Sequence, residues 1–116
     1  MSKLKTIKNI YDETFKQNYY MLIGVNRNRY VEIVKKELKQ DVELPLANIC
    51  GRTVYLDVEG HLIPIIWTTN KKPSNIAHEC FHAIADVLED RGVKLSGDSC
   101  EIYAYSLERL IRAALR

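Results

Sequence analysis

Two histidines four residues apart, with a glutamate directly after the first, constrain this chain more than anything else in it. His78-Glu79-Cys80-Phe81-His82 fits the pattern H-E-x-x-H, and the pattern has a chemical meaning only on a helix. There, residues four apart lie one above the other, so both imidazoles can reach one metal ion from one face. At about 100° per residue they stand within about 40° of each other around the axis, with Glu79 displaced to the side. A base that takes a proton from water held by the metal has to stand there. The flanking residues predict such a helix. Ile76, Cys80, Phe81, Ile84, Val87 and Leu88 form an apolar stripe, and the histidines fall outside it. Ser74 or Asn75 can cap the start, and Gly92 is a natural terminator after about Asp90.

The remaining pattern predicts a small α+β domain over residues 1–116. Tyr19 to Val25 (YYMLIGV) reads as a buried strand. Asn26 is an N-cap for an amphipathic helix from Arg27 to Gln40, on which Tyr30, Val31, Val34 and Leu38 recur at helical spacing. Thr53 to Glu59 and Leu62 to Thr69 read as a hairpin turning near Glu59-Gly60. Pro64 gives up a ladder donor, which puts the second of these strands at a sheet edge there, or bulged. A last helix starts near Asp98 and carries Tyr103, Leu107, Leu110, Ile111 and Ala114 inward. The expected order is β-α-β-β-α-α, a short, mostly antiparallel sheet packed with helices. The segment to about Lys16 is polar with scattered apolar residues and carries no assignment.

Composition narrows the classes. A formal charge of +2, with the basic residues scattered and paired only at Lys35-Lys36 and Lys71-Lys72, argues against a nucleic-acid partner. No stretch reaches the roughly 18 uninterrupted apolar residues of a membrane span, and the N-terminus leads into no signal-type apolar segment. The expectation is a cytoplasmic protein. Cys50, Cys80 and Cys100 make an odd number without C-x-x-C spacing, which fits reduced thiols. Cys80 falls in the apolar stripe and is neither a nucleophile nor a ligand.

A catalytic zinc takes three protein ligands and leaves one position to water. His61, the one other histidine, sits at the hairpin turn, where an exposed polar residue needs no special role. Asp86 lies one turn past His82 but nearer the side of Glu79, suited to orienting the ligands rather than joining them. Glu101 opens the last helix, which the turns at Gly92 and Gly97 could return alongside the first. Asp98-Ser99-Cys100-Glu101 also has the D-x-x-E form of a capping box, with Asp98 as N-cap. Spacing leaves both roles for Glu101 open.

The H-E-x-x-H at His78 to His82, followed by Glu101-Ile102-Tyr103-Ala104-Tyr105, resembles gluzincin-type metallopeptidases. More closely, with Ile66-Trp67 preceding the motif, the chain resembles small phage- and prophage-encoded metallopeptidases, from the Tyr19 strand onward. The resemblance implies a minimal zincin-like domain, with Zn²⁺ held by His78, His82 and Glu101 and Glu79 as general base. The reaction it implies is hydrolysis of a peptide bond in an as yet unidentified peptide or protein. Tyr105, one turn beyond Glu101, is a candidate donor to the transition-state oxyanion. The large flanking domains of bigger gluzincins are absent from this sequence. The alternative is a non-catalytic protein-binding module of the same shape, with a structural or vestigial metal site.

Overall fold

The computed structural model describes residues 7–116. Four strands and three helices follow in the order β1 (Lys8–Asp12), β2 (Gln17–Ile23), α1 (Arg27–Leu38), β3 (Gly51–Val58), β4 (His61–Thr68), α2 (Pro73–Asp90) and α3 (Cys100–Leu115). The fold is α+β, and the sheet is mixed, in the order β1-β2-β4-β3. β1 pairs antiparallel with β2, and β3 with β4, while β2 and β4 run parallel.

Alternation along the two central strands explains the layers. Tyr19 and Met21 of β2 and Ile66 of β4 face one side, where they pack with α2 and α3 around Ile76, Cys80, Ile84 and Leu88. Leu22 of β2 and Ile65 and Trp67 of β4 face the other side, against Tyr30, Ile33 and Val34 of α1. Trp67 stacks on Tyr30 with ring centroids 4.7 Å apart, and its indole N–H donates to the Val25 carbonyl at 2.7 Å. The buried ring thereby keeps its one polar group satisfied.

Local chemistry sets the element ends. Asn26 caps α1, its side-chain oxygen accepting from the Arg29 amide at 2.8 Å. The β3–β4 turn has positive φ at both Glu59 and Gly60, the backbone of a tight two-residue hairpin. Pro73 opens α2 at a position where its missing N–H costs nothing, so neither Ser74 nor Asn75 caps it as the sequence suggests. Gly92, at φ +80°, closes α2. The Gly92 amide donates to Glu89 O at 2.9 Å and the Val93 amide to Leu88 O at 2.8 Å, a Schellman ending.

Three expectations need correction. β1 lies within the segment left unassigned, because five residues of mixed polarity at a sheet edge carry little periodic signal. The Leu62–Thr69 segment is not an edge strand: β4 lies between β2 and β3, and the edges are β1 and β3. Pro64 is tolerated because β2 begins to pair with β4 only at Ile65, which leaves the proline's flank free. Finally, α3 begins at Cys100 with Ser99 as N-cap and no side-chain capping bond, so Asp98 and Glu101 form no capping box. The Ser99 hydroxyl instead donates to the Lys94 carbonyl.

Candidate metal centre

The buried face of α2 carries Ile76, Glu79, Cys80, Ala83, Ile84, Val87 and Leu88. His78 and His82 stand one turn apart on its exposed side. Phe81, expected in the apolar stripe, is 44% exposed beside them; the stripe is narrower than the sequence suggests. The Nε2 atoms of the two imidazoles lie 3.2 Å apart, with the rings nearly perpendicular. Two nitrogens bound tetrahedrally to one zinc at about 2.0–2.1 Å would stand about 3.3 Å apart. The observed separation is close to that distance, and it is equally that of a hydrogen bond between the two rings.

Glu79 is turned the other way, into the joint between α2 and β3, and is only 8% exposed. The Thr53 hydroxyl lies 2.8 Å from its Oε1 and 3.0 Å from its backbone carbonyl. Its other oxygen, Oε2, stands 4.0 Å from His78 Nε2. Gly51, two residues before Thr53 and on the same face of β3, makes room for this carboxylate. A Cβ on Gly51 would stand 3.0 Å from Glu79 Cγ and 3.2 Å from Oε2.

Tyr55, the next residue on that face, donates to Asp86 Oδ2, and its oxygen is 3.2 Å from the His82 carbonyl. Burial, the hydrogen bond to Asp86 and the nearby carboxylates of Asp86 and Glu79 all push the Tyr55 phenol far above its ordinary range. It stays a neutral donor. Asp86 thus serves Tyr55 rather than either imidazole. Gly51, Thr53, Tyr55, Glu79, His82 and Asp86 line an open cleft of about 250 Å³ between β3 and α2. Cys80, one residue from Glu79, points into the core, where burial and the Glu79 charge push its thiol up to about 12. It has no access to the cleft.

The other expected site residues lie elsewhere. Glu101 is exposed in the first turn of α3. Among the described residues, no group of three or more His, Cys, Asp and Glu side chains converges as a metal site, so the arrangement does not bring Glu101 to the histidines. Tyr105 is 66% exposed and lines a separate groove with Asp12, Phe15, Ile102 and Arg109. His61 is exposed at the start of β4, paired across the hairpin with Val58.

Sequence reasoning missed Gly51, Thr53 and Tyr55. Their i, i+2, i+4 spacing puts them on one face of a strand. Which helix that face meets is a tertiary fact with no local signal. No protein-family model, curated protein or solved structure matches this chain.

Proposed function

We propose that the chain is a minimal zincin-like, zinc-dependent hydrolase of peptide bonds, related in its chemistry to the gluzincins. One observation carries the reading: the 3.2 Å separation of the two Nε2 atoms, with Glu79 Oε2 4.0 Å from that of His78. The residues present fit zinc through His78 and His82. When bound, the ion would lower the pKa of a water and polarise the scissile carbonyl. Glu79 Oε2 would take the proton from the attacking water and pass it to the leaving amine. The edge strand β3, which borders the cleft, offers unpaired backbone groups to an extended substrate. The resemblance adds Glu101 as third ligand, but Glu101 does not join the two histidines among the described residues, so His78 and His82 alone carry the ion here.

A second reading draws on the lack of a third ligand group among the described residues. The protein would then be a non-catalytic binding module, with a metal that is structural or vestigial. Glu79→Gln separates the two. On zinc-loaded protein incubated with a mixed peptide digest, new amino termini should appear with the wild type and vanish with the variant, while fold and zinc content persist. Equal turnover by both would remove Glu79 as the base. No turnover by either would favour the binding module.

A further inference from the structure

Resting on the hydrolase reading, we propose that Thr53 is the positioning residue of the general base. Its hydroxyl, working in the space that Gly51 leaves open, divides the labour between the two oxygens of Glu79. Oε1 is the anchored oxygen, 2.8 Å from the Thr53 hydroxyl. Oε2 is the working oxygen, 4.0 Å from His78 Nε2. A glutamate has three rotatable bonds, and an unanchored one would spread over several rotamers, most of them unproductive. Here a strand supplies the anchor to a helix residue, so the base is held across two elements rather than within one turn. The same strand repeats the arrangement two turns along α2, where the Tyr55 hydroxyl binds Asp86. The two hydroxyls together fix the spacing between β3 and α2 along the cleft.

The Thr53 hydroxyl has a single proton and two acceptors within reach, the carboxylate oxygen and the Glu79 backbone carbonyl. That carbonyl belongs to a helix residue with its own amide partner one turn on. The charged oxygen is the stronger acceptor, so the proton goes to Oε1.

Acetohydroxamate bound to the zinc-loaded protein reads the orientation of Glu79 without any substrate. It would chelate zinc through its two oxygens, and the proton given up by its hydroxyl would be taken by Glu79. Thr53→Val, close to isosteric, should weaken acetohydroxamate binding about tenfold, the worth of one hydrogen bond to a charged group, while zinc affinity stays that of the wild type. Thr53→Ser, which restores the hydroxyl, should recover the affinity. In a Glu79→Gln background, Thr53→Val should cost nothing further, since its effect runs through the carboxylate. Where Thr53→Val does not fold, Thr53→Ala carries the same expectations. Binding by Thr53→Val equal to the wild type, or a full loss that persists in Glu79→Gln, would overturn the positioning role and leave the zinc reading standing. A zinc-loaded wild type that ignores acetohydroxamate would overturn the positioning role together with the hydrolase reading, since no open zinc would then stand beside Glu79.

Discussion

Adding one methyl group at Gly51 tests the geometry on which the site depends. A Cβ there would stand 2.9 Å from the Trp67 carbonyl oxygen, 3.0 Å from Glu79 Cγ and 3.2 Å from Glu79 Oε2. The first neighbour is backbone of the central strand β4 and cannot turn aside. The other two can move only if Glu79 swings off the Thr53 hydroxyl. Backbone conformation does not demand the glycine, because Gly51 is not among the residues with positive φ; space does. Overpacking of this kind costs about 1–3 kcal/mol. In a domain of this size that lowers the melting temperature by about 4–12 °C. Thermal unfolding followed by circular dichroism measures it. Two of the three close contacts belong to Glu79, so the cost should shrink when Gly51→Ala is made in a Glu79→Ala background, where only the Trp67 carbonyl remains in the way. A melting temperature unchanged to within about 1 °C, or the same loss in both backgrounds, would refute the claim that Gly51 is kept small for Glu79.

The opposite α1 face of the sheet offers a prediction of opposite sign. The Tyr30 hydroxyl is buried with no hydrogen-bond partner among the described residues, so Tyr30→Phe should keep the stack on Trp67 and stabilise the protein by about 1 kcal/mol in chemical denaturation. A loss of that size would mean that the hydroxyl has a partner. Alkali should unfold the protein. Burial raises the Tyr30 phenol from 10 to about 12, and burial with the Glu79 charge raises the Cys80 thiol from 9 to about 12. The unfolded chain gives up these protons first. Stability should therefore hold below about pH 9 and fall steadily toward pH 12. A melting temperature flat to pH 11 would contradict the burial of both groups.

Where the sequence was informative, the signal was local and physical. The Asn26 cap, the Gly92 ending and the Glu59-Gly60 hairpin turn each follow from the backbone that those residues favour, and all three are present. The helix through residues 78–82 was legible because its apolar spacing and its paired histidines point to the same period. Strand order was not legible. β4 reads as an edge because of Pro64, yet it is central, since the parallel pairing with β2 starts one residue later. Local pattern does not encode which strand comes to lie beside a given strand. The same gap hid half of the site. Thr53 and Tyr55 look like ordinary strand residues until β3 is laid against α2. Glu101 marks the other limit. Its place after the Gly92 and Gly97 turns suggested a return toward the histidines, but the bend from Arg91 to Ser99 leaves it on the exposed first turn of α3.

Zinc content of the purified protein, measured by elemental analysis after reconstitution and dialysis, decides whether the two histidines hold a metal. About one zinc per chain is expected, lost in His78→Ala and in His82→Ala and kept in Glu79→Gln. Loss of zinc from Glu101→Ala as well would add the first turn of α3 to the centre. A wild-type protein that holds no zinc would rule out the metal centre, leaving two exposed histidines on a helix and a carboxylate anchored for no metal.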